Sequence, residues 1–238
     1  MIVFLTSSPT GDLDGRYRCE GLDNRNGFSD KVKEVWKKDS QVLMITAFPD
    51  SPEDNKGMKA FFEDALRKTG LSVSCFDLWD SEILKKDYSR PMLQKYDVII
   101  LGGGHVPTQN AFFKKLNLRE NIRGYGGLVI GISAGSMNCA DTVYAQPEEP
   151  GEAIDPGYQR FIEGLGITDI NVLPHYQMVK DSYKDGLHLF NEISIPDSKG
   201  REFIAIPDGS FIIDYNGKRP REIYGEAYII SDGKISSH

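Results

Sequence analysis

The stretch Leu128-Val129-Ile130-Gly131-Ile132-Ser133-Ala134-Gly135-Ser136-Met137-Asn138 constrains this chain more than any other. A short apolar run ends in Gly-x-Ser-x-Gly and passes into small, helix-compatible residues. The run reads as a buried strand and the residues after it as a helix. Between them a sharp turn holds the serine at its apex, the pattern of a nucleophile elbow. Gly131 and Gly135 leave space where any side chain would collide across the turn. A serine hydroxyl is a weak nucleophile until a base takes its proton and its oxygen is held exposed. The turn supplies the exposure. The amide of Ala134 is then expected to face a carbonyl under attack and donate to its oxygen. The bland alternative is a strand-to-helix turn with an idle serine.

An elbow needs a sheet beneath it, and the preceding residues supply the pattern of one. Apolar runs at Ile2–Leu5, Gln41–Ala47, Leu71–Leu78 and Tyr96–Leu101 predict strands. Between them, apolar residues three and four apart predict helices over Asp30–Lys38 and Asn55–Lys68, with a helical turn over Asp80–Lys85. Further helical patterns span Asn110–Leu116 and Leu118–Gly124. Most of the strands are continuously apolar, which predicts an α/β fold with a mostly parallel sheet flanked by helices. Ligands of such sheets bind beyond the carboxyl ends of strands, where Gly102-Gly103-Gly104 and Ser133 both fall. Residues from Gly11 to Gly27 read as a surface excursion and Thr142–Tyr158 as a loop. After the elbow, Gly166–Leu173 reads as a strand and Leu187–Ile193 as helical. Beyond them, Phe203–Ile213 and Glu226–Ser231 predict C-terminal β-hairpins, turning at Asp208-Gly209, Asn216-Gly217 and Asp232-Gly233. With no repeat or linker to divide it, residues 1–238 are expected to form a single domain.

Several function classes are disfavoured at this level. No apolar run approaches the roughly 20 residues of a membrane helix, and Met1–Thr6 reads as a strand rather than a signal peptide. The net charge is -7 with lysines and arginines scattered, so neither nucleic acid nor an anionic membrane is an expected partner. Cys19, Cys75 and Cys139 are odd in number and lack ligand spacing, which points to reduced thiols and a cytoplasmic location. No metal site and no cofactor are expected.

The partners of Ser133 must come from few residues. Gly102–Gly104 allows close backbone approach and is the candidate for a second oxyanion donor. The histidines are His105, His175, His188 and His238. His175 follows a strand and a proline late in the chain, which suits a serine, acid, histidine order. His105, directly after the glycines, stays open as a competitor. The orienting acid would lie among Asp141, Glu148, Glu149, Glu152, Asp155, Glu163 and Asp169, and composition does not choose.

The segments Gly102-Gly103-Gly104, Gly131–Ser136, Pro174-His175-Tyr176 and Ile206-Pro207-Asp208-Gly209 stand in an order and spacing that resembles the peptidase E family. These serine peptidases include aspartyl dipeptidase and are related to cyanophycinase. The likeness runs from Gln41 to Gly233 and is weakest before Asp30. It implies a class I glutamine amidotransferase-like fold with a flavodoxin-like core. By position it implies Ser133 as nucleophile, His175 as base, and Gly104 and Ala134 as oxyanion donors. The family's acid falls about fifteen residues after the serine, which implies Glu148, with Glu149 as its neighbour.

Two departures from the family pattern bear on substrate. Aspartyl dipeptidase carries an arginine after its histidine, whereas here none occurs between His175 and Arg201. Lys180, Lys184 and His188 are the nearby cations, and none offers the planar fork a carboxylate prefers. Strict N-terminal Asp specificity is therefore not expected. His105 stands where the family often has Asn, and His105 and His188 are the candidate substrate contacts. The expected reaction is cleavage of small peptides, as by a dipeptidase, through an acyl-enzyme. The alternatives are an ester or isopeptide hydrolase and a non-catalytic binding member of the fold. The C-terminal hairpins could cover one subunit's core or join two subunits in a homodimer.

Overall fold

A computed structural model describes residues 1–10, 20–85 and 90–238. Most of the expected excursion after Gly11, with Cys19, lies outside the described residues. Among the described residues the central sheet has seven strands. Five are parallel: β1 (Ile2–Thr6), β2 (Ser40–Ile45), β3 (Val73–Trp79), β4 (Val98–Leu101) and β5 (Leu128–Ile132), in the order β1-β5-β4-β2-β3. Beyond β1 the strand Phe211–Asp214 is added antiparallel, and Glu222–Tyr224 pairs outside it.

The continuous apolar runs follow from burial on both faces. Val3, Leu5, Leu43, Ile45, Ile99, Leu101 and Val129 face one apolar layer. Phe4, Val42, Met44, Val98, Ile100, Leu128 and Ile130 face the other. Each side chain so buried contributes roughly 1.5–3 kcal/mol relative to an exposed one. Helices α1 (Phe28–Val35) and α2 (Pro52–Thr69) cover the second face through Phe28, Val32, Phe62 and Leu66. Helix α2 ends at Gly70, whose left-handed backbone (φ 82°) closes it as a glycine C-cap does. The expected helix at Asp30–Lys38 starts earlier, at Phe28, and stops before Trp36, whose backbone is extended.

A second sheet carries the strands Lys234–Ser237, Tyr228–Ser231, Glu202–Ala205 and Val172–Leu173, in that order. Its last pair is parallel, with Ile204 beside Val172 and Ala205 beside Leu173. Tyr144 stacks on Phe203 at 4.4 Å beneath it. Two expected hairpins are present: the turn at Asn216-Gly217 lies between Phe211–Asp214 and Glu222–Tyr224, and that at Asp232-Gly233 between Tyr228–Ser231 and Lys234–Ser237. The third is not. Glu202–Ala205 belongs to the second sheet and Phe211–Asp214 to the first, so Asp208-Gly209 is a crossing between sheets rather than a hairpin turn. The stretch Thr142–Tyr158, expected as a loop, begins with the strand Thr142–Tyr144, paired with Phe161–Glu163. A small hairpin pairs Tyr183–Lys184 with Leu187–His188, ahead of a π-helical turn at Leu189–Ser194.

Candidate active site

The chain turns at Ser133 with φ 49° and ψ -112°, a conformation that costs of order 1–3 kcal/mol and persists only where its surroundings enforce it. The enforcement is visible. A Cβ on Gly135 would lie 2.1 Å from the Leu101 carbonyl oxygen, and one on Gly131 2.6 Å from the Ser136 Cα. The Ser133 amide donates to the Thr6 carbonyl at 3.0 Å. Ser136 exchanges two hydrogen bonds with the Thr6 backbone, each 2.8 Å, and the Thr6 hydroxyl donates to Gly131 at 2.7 Å. The helix after the turn is a single turn, Ala134–Met137.

The expected histidine is His175. Its Nε2 lies 2.9 Å from Ser133 Oγ. A separation of more than about 5 Å, outside hydrogen-bond reach, would have given weight to a non-catalytic reading. His175 follows the strand Val172–Leu173 and takes a left-handed backbone, φ 57° and ψ 29°. Among the described residues the carboxylate that orients its ring is Asp208, with Nδ1 to Oδ1 at 2.7 Å. An ionised carboxylate only accepts, so Nδ1 carries the proton and Nε2 is free to accept from Ser133. Burial alone would raise the Asp208 carboxyl. The donors from His175, Ser7 and Gln177 outweigh it and hold the group below the usual carboxylate range.

Glu148 is therefore not the group on His175. Its segment is fixed elsewhere: the Glu148 carbonyl accepts from Lys184, and its amide donates to Glu152 at 2.8 Å. Burial, reinforced by Glu152, pushes the Glu148 carboxyl up to about 7 against the opposing pull of His105, His175 and Lys184. Glu149 donates its amide to the Glu152 carboxylate at 2.9 Å and accepts from the Glu152 amide at 3.3 Å.

His105 is tied to structure on both ring nitrogens. Nε2 donates to Glu152 at 2.8 Å, and Nδ1 accepts from the Thr108 hydroxyl at 2.8 Å. Burial would raise the Glu152 carboxyl, but the amides of Glu149 and Glu148 and the His105 N–H hold it below the usual range. His188 accepts from the Asn191 amide at 3.2 Å and packs edge-on against Tyr183 at 5.1 Å. The glycine loop does approach the serine. A Cβ on Gly103 would lie 3.4 Å from Ser133 Cβ, and one on Gly104 would collide with Ala47 Cβ at 2.7 Å. Gly104 thus sits where only a backbone fits.

Sequence reasoning misses two members of this constellation. Asp208 follows the parallel neighbour of the histidine's strand, but its Asp-Gly pair carries the signal of a hairpin turn. Ser7 follows β1 and carries no motif at all. Among the described residues there is no cluster of three metal-ligating side chains, and no helix is long and apolar enough to cross a membrane.

The model of peptidase family S51 matches residues 24–220. A crystal structure of a peptidase from an acI-B1 actinobacterium is 17% identical, with a TM-score of 0.65, covering 100% of this chain and 93% of that one. A putative peptidase E protein from Listeria monocytogenes EGD-e is 18% identical, with a TM-score of 0.60, covering 94% of this chain and 98% of that one. No curated protein matches.

Proposed function

We propose, given that the chain belongs to peptidase family S51 and is a serine-type peptidase, that Ser133, His175 and Asp208 carry the acyl transfer and that the substrates are small peptides. The observation that carries this reading is the unbroken relay of contacts from Ser133 Oγ to His175 Nε2 and from Nδ1 to Asp208, at 2.9 and 2.7 Å. Ser133 Oγ attacks the scissile carbonyl carbon while its proton passes to Nε2. The carbonyl π pair moves onto oxygen, where the amides of Gly104 and Ala134 are assigned to receive it. Collapse breaks the C–N bond, and His175 returns the proton to the leaving amine. Water then repeats the sequence on the acyl-enzyme and frees the acid. Asp208 stays ionised, fixing the tautomer and stabilising the imidazolium.

Substrate choice follows from what surrounds the serine. The segment after His175 brings no arginine, and Lys184 is committed to the Glu148 carbonyl. Exposed apolar side chains occur instead at Phe48, beside Gly104, and at Met178, three residues after His175. The reading is a dipeptidase-like activity without strict preference for an N-terminal Asp. A cytoplasmic location belongs to the same reading, supported by free thiols at Cys75 and Cys139.

A fluorophosphonate probe tests the mechanism. Labelling is expected on Ser133 and is expected to vanish in Ser133→Ala, and a folded wild type that takes no label would overturn the assignment. A dipeptide library read by mass spectrometry tests specificity. Exclusive cleavage of Asp-X peptides would refute the reading drawn from the missing arginine.

A further inference from the structure

We propose that Ser7 is a positioning residue of the site: its hydroxyl fastens both the His175 backbone and the Asp208 carboxylate to the end of β1. The inference rests on the triad reading above.

Ser7 is wholly buried and directly follows the strand whose last residue, Thr6, holds the elbow. Its oxygen lies within reach of three groups. The His175 backbone N–H donates to it at 2.8 Å. The Ser7 O–H donates to Asp208 Oδ1 in a short contact. The oxygen also stands 3.1 Å from His175 Nδ1, whose proton it shares with Asp208 as a second acceptor. A hydroxyl has one proton and two lone pairs, so all of its bonding capacity is spent on the two partners of Ser133.

Each contact has its own consequence. His175 has a left-handed backbone that a β-carbon disfavours, and the Ser7 oxygen holds its N–H. Without it the backbone is free to relax and carry Nε2 away from Ser133. The donor to Oδ1 draws charge from the oxygen that accepts from Nδ1. With that donor gone, Asp208 keeps, among the described residues, the His175 N–H and, on Oδ2, the Gln177 amide at 2.7 Å. A carboxylate short of one donor holds a proton more tightly, whether on itself or on the imidazole it faces. Ser7 therefore tunes the pair as well as placing it. Thr6 and Ser7 together hold all three working residues from one dipeptide, Thr6 the nucleophile and Ser7 its base and acid.

Ser7→Ala is the test, in the full chain. The fluorophosphonate labelling rate and kcat for a cleaved dipeptide are expected to fall about 10- to 100-fold, with KM within about twofold. The acid limb of the rate profile moves to higher pH. Ser7→Cys places a much weaker donor in nearly the same volume and is expected to fall between alanine and wild type. Proton and nitrogen NMR of the His175 ring supplies a readout that needs no catalysis: in Ser7→Ala the Nδ1 proton exchanges faster. Failure of Ser133 as nucleophile would show in the Ser133→Ala labelling, separately from this readout. If Ser7→Ala does not fold, Ser7→Cys carries the test. A folded variant with unchanged Nδ1 proton exchange, and with rates and acid limb matching wild type, would overturn the role.

Discussion

Asp208 and Glu148 are two half-buried carboxyls in contrasting settings, and their substitutions should part cleanly. Asp208 accepts from His175, Ser7 and Gln177, which keeps it ionised. Asp208→Asn replaces an acceptor with a group that donates to Nδ1 and so selects the wrong imidazole tautomer. Turnover is expected to fall by about 10³- to 10⁴-fold, the scale of the corresponding change in a serine protease triad. Glu148→Gln leaves the relay untouched, and its probe labelling should stay within about tenfold of wild type. A loss equal to that of Asp208→Asn would return Glu148 to the mechanism. The two groups also bend stability in opposite ways. Asp208 titrates below its unfolded value, so its contribution is present above the ordinary carboxylate range and is lost as the pH falls through its folded pKa. Glu148 titrates at about 7, above its unfolded value. Its ionisation therefore costs stability progressively as pH rises from the ordinary carboxylate range to about 7. Glu148→Gln should be more stable than wild type at pH 8 by on the order of 2 kcal/mol, allowing for partial exposure, and nearly equal at pH 4. Thermal denaturation at the two pH values checks the sign.

The elbow is the element most legible in the sequence, because sterics alone dictate its glycines. Gly135 packs against the carbonyl end of β4, and the added methyl of Gly135→Ala has nowhere to go. The loss expected is about 3 kcal/mol or more, seen as a lowered denaturation midpoint. A midpoint within experimental error of wild type would mean that the turn has slack. The strands beneath the elbow were legible too, since burial on both faces leaves an unbroken apolar run. His175 was legible from chain order, with a strand and a proline before it. The acid was not. An Asp-Gly pair between two β-like runs has the local chemistry of a tight turn whether the runs pair with each other or part. Here they part into different sheets, and only the long-range pairing of Phe211–Asp214 with β1 decides that. Ser7 escaped for the same reason. A serine beyond a strand is ordinary until the partner that folds onto it is known.

At the scale of the whole molecule, the site lies where two parallel strand pairs end together. Ser7 and Ser133 follow β1 and β5 in the central sheet. His175 and Asp208 follow Val172–Leu173 and Glu202–Ala205 in the second sheet. Ile206 donates to Leu173 at 2.9 Å and Tyr176 to Ile206 at 3.2 Å, so the histidine and the acid are tied to each other by bonds that do not involve the serine. Docking the sheets brings one half of the chemistry to the other. A chain stopped at Gly200 retains Ser7, Ser133 and His175 but lacks Asp208 and the strand that flanks β1. Ribosome-held chains of that length are expected to take no fluorophosphonate label, and labelling at the full-length rate would show that the second strand pair is dispensable. The clamp at Thr6–Ser7 thus has a meaning in the order of folding. Ser7 and His175 stand 168 residues apart in the chain, so the serine gains its base and acid only once both sheets have formed and docked.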